Sequence, residues 1–156
     1  MNDIKHDKAG IIAPPPVIYL GILIVGLLID WRLPLGLIPN HIRLLLGWPL
    51  IVGGGLLLFL AVRAMRRART AVDPYKPTTA IVVDGPYRSS RNPMYIADAL
   101  IYLGIATLIN TFWPMLLFPI ALLIMQKGVI AREEQYLEQK FGDQYLQYKA
   151  RVRRWL

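Results

Sequence analysis

Two short segments of this chain carry residues that could do chemistry. The first is Gly85 to Tyr95, GPYRSSRNPMY, a basic, turn-rich stretch between long apolar runs. Arg88 and Arg91 supply fixed positive charge, and Asn92 followed by Pro93 predicts a helix start. Asparagine can accept from the free amides of a first turn, and proline at the first helical position loses no hydrogen bond. A helix N-terminus flanked by arginines suits an anionic ligand group. The plainer alternative is a loop whose arginines only set membrane orientation. The second segment is Glu133-Glu134, two carboxylates just beyond an apolar run. They oppose the surrounding positive charge, so at least one needs a partner other than the membrane surface. A third acidic residue, Asp98, lies inside an apolar run and shares a helical face with Tyr95 and Tyr102 by spacing. A carboxylate at that depth is costly and reads either as a ligand group or as the partner of a nearby arginine.

These residues are set in a chain of 156 residues that is 55% hydrophobic, with mean hydropathy +0.41 and net charge +8. That is too apolar for an ordinary soluble domain. The cations flank the apolar runs, which fits a positive-inside membrane bias better than nucleic-acid binding. There are no cysteines, which excludes thiolate catalysis, and His6 and His41 are far apart, so a metal site is not expected.

The pattern predicts an all-α polytopic membrane protein of about four transmembrane helices with an amphipathic helical tail. The spans are expected at 11–29, 42–64, 93–109 and from 114 to about 125, extending toward 131. The first could be a secretory signal, but no small-residue cleavage site follows it, so a retained helix is favoured. Gly53-Gly54-Gly55 would let a neighbouring helix approach closely. The dense cluster Arg63, Arg66, Arg67 and Arg69 places its end of the bundle in the cytoplasm. With four spans, both chain ends are then cytoplasmic, and residues 1–10 are expected to fray there. The linker after that cluster is broken by prolines, and only Ala80 to Val83 looks strand-like. In the tail, Leu137, Phe141, Tyr145, Tyr148, Val152 and Trp155 form one apolar face. Gly142 and Asp143 predict a helix stop and a new N-cap, hence two helical pieces, with Arg151, Arg153 and Arg154 on the membrane surface.

Taken together, Arg91-Asn92-Pro93-Met94-Tyr95, Glu133-Glu134, and Phe141-Gly142 with Tyr145, Tyr148 and Val152 resemble the signature of the isoprenylcysteine carboxyl methyltransferases. That broader group includes the phospholipid N-methyltransferases. The resemblance covers about residues 85–152 and implies one membrane methyltransferase domain over 1–156. It further implies S-adenosylmethionine as cofactor, held on the cytoplasmic side, and a lipophilic acceptor arriving from the bilayer. Arg91, Pro93 and Tyr95 match the first part of the cofactor motif, Glu133 and Glu134 the second, and Tyr145 and Tyr148 follow in the pattern. Asn92 stands where the family has histidine; it can still hydrogen-bond but cannot titrate.

For catalysis, Glu133 could stabilise a bound sulfonium, and Arg132 or Lys127 could stand for the family's arginine ahead of the paired glutamates. Asp98 is the intramembrane carboxylate that could deprotonate an amine. The choice among O-, N- and S-methylation stays open. A nonenzymatic scaffold or transporter subunit, binding anionic lipid or a partner through the basic loop and tail, is the rival reading.

Overall fold

A computed structural model describes residues 8–36 and 38–155, so Lys5 and His6 of the expected frayed end lie outside the described residues. Six α-helices follow in order: α1 (Pro15–Arg32), α2 (Asn40–Arg67), α3 (Pro93–Ile109), α4 (Phe112–Met125), α5 (Ala131–Phe141) and α6 (Asp143–Arg151). A 3₁₀ turn at Gly85–Arg88 precedes α3, and a π-helical segment, Gln126–Ile130, joins α4 to α5 without a break. No strand occurs among the described residues, so Ala80 to Val83 is irregular chain rather than a strand.

Among the described residues three stretches are long and apolar enough to cross a membrane: α1, α2 and the continuous helix Phe112–Phe141. The fourth, α3, has 17 residues and spans about 26 Å at 1.5 Å per residue. It is also the most sheltered, packing on α1, α2 and α4. The large apolar side chains that stay exposed lie mostly on α1, α2 and α4, among them Leu20, Leu28, Leu45, Val52, Phe59 and Leu123. In water such a surface would aggregate; facing lipid, it has no such cost. This is an integral membrane protein.

The closest helix pairing is α2 with α3. A methyl group added at Gly54 would fall 2.9 Å from Ala97 O and 3.1 Å from Ile101 N, and one at Gly104 would fall 3.0 Å from Gly47 O. The backbones therefore touch, as small residues permit in a membrane. Of the three consecutive glycines only Gly54 makes this contact; Gly53 and Gly55 face open space, because consecutive helix positions point about 100° apart. On the other side of α3, Tyr102 stacks with Phe118 and tilts against Tyr19, ring centroids 5.6 Å apart in each case. Its hydroxyl donates to Pro114 O at 2.6 Å.

The two ends of the bundle are closed differently. At one end Asn110, left-handed at φ 60°, turns the chain from α3 to α4, and its side chain bonds Ile38 N and Ile38 O. Trp113 Nε1 donates to Leu33 O at 2.7 Å. At the other end the linker from 68 to 92 folds over the bundle, held by turns: Thr79 N donates to Thr70 Oγ1, Thr79 Oγ1 donates to Arg69 O, and Thr78 N donates to Tyr136 Oη.

The π-helical segment has a local cause. Ile12 N–H donates to Gly128 O at 3.2 Å, and the Ile12 side chain fills the space that a Cβ on Gly128 would need. A widened turn frees such a carbonyl and advances the helix beyond it by a fraction of a turn. It therefore helps set the face on which Glu133 and Glu134 emerge.

The glycine contacts predict a sharp contrast. Gly54→Ala should destabilise the protein by about 1–3 kcal/mol, the usual cost of forcing atoms into a filled space. Gly53→Ala should be neutral or slightly stabilising, since alanine is the better helix former. Thermal unfolding of both variants in the same detergent tests this, and equal midpoints would contradict the packing described.

Candidate functional site

The linker, α3, α5 and α6 enclose a cavity of about 360 Å³ at the closed end of the bundle. Its walls include Met65 of α2, Thr70 to Pro74 and Ala80 to Val82 of the linker, Tyr87, Arg91 to Tyr95, Asp98, Glu133, Glu134, Leu137, Tyr145 and Tyr148. The size lies within the range of small-molecule sites, and the wall has the usual character, mainly apolar with a few polar groups converging.

The cavity is built on Glu134. This carboxylate is buried, 5% exposed, between two guanidinium groups. Arg154 Nη2 lies 2.6 Å from Oε2 and its Nε donates to Oε1 at 3.0 Å, a bidentate pair. Arg91 Nη1 lies 3.2 Å from Oε1, within ion-pair distance. That contact is an ion pair rather than an aligned hydrogen bond, and Arg91 Nε and Nη1 are shielded from solvent. Both cations are thus held by one carboxylate, with the carboxyl groups of Glu133 and Asp98 on the same cavity wall.

Arg154 arrives there because the chain after α6 runs back along the loop before α3. Arg91 N donates to Arg153 O at 2.9 Å, Ser90 Oγ donates to Arg154 O at 3.2 Å, and Asn92 Nδ2 donates to Arg154 O at 2.9 Å. Trp155 then packs against the hydrophobic core. The expectation that Arg154 lies on the membrane surface is thus corrected. The buried, otherwise half-satisfied Glu134 holds it inward, while Arg151 and Arg153 stay exposed.

Asn92 also departs from its expected part. It occupies the N-cap of α3, with Pro93 as the first helical residue, but its side chain makes no cap bond. The amide is spent on Arg154 O instead, and Ser90 Oγ accepts from Asn92 N at 3.1 Å. In the tail, Gly142 at φ 52° both ends α5 and caps α6, so Asp143 is the first helical residue of α6 rather than its cap.

Glu133 lies half-buried beside Glu134, with Oε2 accepting from Tyr95 Oη at 2.6 Å. It forms no ion pair among the described residues, which leaves Oε1 available to the cavity. Four phenols surround the pair of glutamates. Tyr148 Oη donates to Tyr87 O at 2.8 Å, fixing α6 to the 3₁₀ turn, and the rings of Tyr145 and Tyr148 lie 6.1 Å apart. Burial pushes the Tyr148 phenol up to about 12. Burial also raises Tyr145, with the Glu134 charge adding to the rise and Arg91 opposing it. Burial, then the Glu133 charge, raises Tyr87. All three are neutral hydroxyls at physiological pH.

Asp98 lines the same cavity one turn along α3 from Tyr95. It has no arginine partner among the described residues, which removes the structural pairing considered for it. Tyr102 shares the spacing but not the site, its hydroxyl being committed to Pro114 O. Arg132 is exposed and donates to Gly10 O at 2.8 Å, outside the cavity wall, and Lys127 is exposed on the π-helical segment. The structure therefore gathers Arg91, Asn92, Pro93, Tyr95, Asp98, Glu133, Glu134, Tyr145 and Tyr148 at one cavity and leaves Arg132 apart. Arg154 and Tyr87 belong to the site and were not singled out from sequence. Tyr87 sits in the GPYR turn, where an aromatic between a proline and an arginine was a usable signal; Arg154 had none among its neighbouring arginines.

Comparison with known proteins bears on this arrangement. The profile of the family described as phospholipid methyltransferase matches residues 42–144, about two thirds of the chain. This chain belongs to the phospholipid methyltransferase family. The match runs from α2 to the start of α6, and so takes in the parts of the cavity wall from α2, the linker, α3 and α5 but not Tyr145, Tyr148 or Arg154. An uncharacterised protein of Haemophilus influenzae is 44% identical over 63 residues, 40% of this chain and all of that protein. The protein-S-isoprenylcysteine O-methyltransferase of Schizosaccharomyces pombe is 38% identical over 72 residues, 46% of this chain but 30% of that enzyme. No solved structure matches the chain.

The ion-pair geometry predicts that Glu134 supports the fold as well as the cavity. Glu134→Ala would leave Arg91 buried and unpaired, which costs about 3–5 kcal/mol. Arg154→Ala, from a position one third exposed, should cost about 1 kcal/mol. Unfolding midpoints in detergent measure both, and an unchanged midpoint for Glu134→Ala would contradict the pairing.

Proposed function

We propose that this protein is an S-adenosylmethionine-dependent methyltransferase acting on a lipophilic, membrane-resident acceptor. The observation that carries the reading is the cavity itself, whose mainly apolar wall brings together Arg91, Tyr95, Glu133, Glu134, Tyr145 and Tyr148. An arginine at such a wall favours an anionic ligand group. The carboxylate of the cofactor fits that need. The free oxygen of Glu133 suits ribose hydroxyls, and Leu137, Met65 and the tyrosines offer apolar and aromatic walls to an adenine. Family membership and the likeness to the Schizosaccharomyces pombe enzyme support the same reading.

When bound, the cofactor supplies an electrophilic methyl group for in-line displacement, a reaction that needs proximity, alignment and exclusion of water. In this reading Arg91, with Pro93 and Asn92 shaping the turn that carries it, orients the ligand, and Glu134 with Arg154 fixes Arg91. Tyr95 holds Glu133 in place, and the negative charge of Glu133 stabilises a sulfonium nearby. Tyr145 and Tyr148 close the side away from the bilayer. Asp98, lying deeper on α3, would take the proton of an ammonium acceptor; a carboxylate or thiolate acceptor, once ionised, needs no base. Arg132 positions the N-terminal segment through Gly10 O rather than touching the ligand. In this reading the arginine-rich end of α2 favours a cytoplasmic position for this cavity and for both chain ends.

Calorimetric titration with S-adenosylhomocysteine should show saturable binding. Arg91→Ala is expected to weaken it by about 10- to 100-fold, the usual worth of hydrogen bonds to a charged group. Folded wild-type protein that does not bind would refute the reading. Orientation has its own test, because the chain lacks cysteine. A single cysteine at Thr79 should react with a membrane-impermeant maleimide only from the cytoplasmic face, and one at Gly36 only from the opposite face.

A further inference from the structure

A second groove, of about 910 Å³, runs along the outside of the closed end of the bundle. One wall is the last two turns of α2, where Arg63 and Arg67 stand one turn apart on the face that also carries Leu57 and Leu60. The other wall is the turn from Asp84 to Ser90 and the start of α3 as far as Ile96. The groove shares only Ile81, Val82 and Pro93 with the first cavity, so a thin partition separates the two.

Charge and polarity are distributed unevenly along this groove. Asp84 is paired with Arg88 at 3.0 Å, whereas Arg63 and Arg67 have no acidic partner among the described residues. These two guanidinium groups stand where the apolar run of α2 ends, at the depth of lipid headgroups. Toward the bilayer interior the lining becomes Leu57, Leu60 and Ile96. A site cationic at the interface and apolar below it matches an amphiphile with an anionic head. Arginine in particular presents paired donors to phosphate oxygens.

We propose that this groove binds one anionic phospholipid, its phosphate against Arg63 and Arg67 and an acyl chain along Leu57, Leu60 and Ile96. General attraction of basic residues for an anionic membrane would not require a groove, and the sequence supplies an internal control. Arg66 and Arg69 belong to the same cluster but do not line it. The inference does not depend on the first cavity or on any methyl transfer.

The test uses the full chain in phosphatidylcholine nanodiscs containing a small fraction of phosphatidylglycerol, with retained lipid counted by native mass spectrometry. The wild type should retain one phosphatidylglycerol molecule. R63Q/R67Q should lower that retention at least tenfold, and R66Q/R69Q should leave it within twofold. Ile96→Trp, which blocks the apolar end without changing charge, should also lower it, and serves if the double variant does not fold. Glycerol phosphate should not displace the lipid. Equal losses in both arginine pairs would mean surface attraction alone, and displacement by glycerol phosphate would mean a soluble-anion site. Either result, or no selective retention by the wild type, overturns the proposal.

Discussion

Much of this structure depends on one buried carboxylate held between two arginines. A lone charge at the position of Glu134 would be expensive in so apolar a protein, and the chain meets that constraint from two directions. Arg91 comes from the loop before α3 and Arg154 from the segment after α6. The pairing explains why the tail folds back along the loop, why Asn92 spends its amide on Arg154 O, and why a cavity exists there at all. It also fixes Arg91 at a wall shared with Glu133 and Asp98, which form no ion pair among the described residues.

The helices around this pairing are arranged to keep it at one level of the membrane. Close backbone contact through Gly47, Gly54 and Gly104 fixes α3 against α2, and the Tyr19, Tyr102 and Phe118 rings fix it against α1 and α4. The short α3 therefore begins at Pro93, just beneath the loop that carries Arg91. The Ile12 contact at Gly128 orients the helix that brings Glu133 and Glu134. Each positioning contact is short-ranged, but they converge on residues distant in sequence.

Much of this was legible in the residues alone. Hydropathy located the four apolar helices, and Asn92-Pro93 marked the start of α3 to the residue, because proline placement and long apolar runs are local signals. The grouping of Arg91, Tyr95, Glu133 and Glu134 was also foreseeable, since a helical hairpin returns its ends to the same side. What was not legible depended on three-dimensional competition. Asn92 had a ready local role as a cap, and a distant carbonyl took its side chain instead. Arg154 looked like its neighbours Arg151 and Arg153, and only burial of Glu134 distinguishes it. The π-helical segment left no sequence signal, because it answers to a contact with Ile12 that no periodicity encodes.

The return of the tail also orders events in time. Asn92 and Arg154 are 62 residues apart and separated by a complete passage of the chain out and back across the bilayer. The loop before α3 therefore cannot take its final form while the ribosome is still feeding α4 into the membrane. The cavity wall is thus completed only once the last residues of the tail have been made.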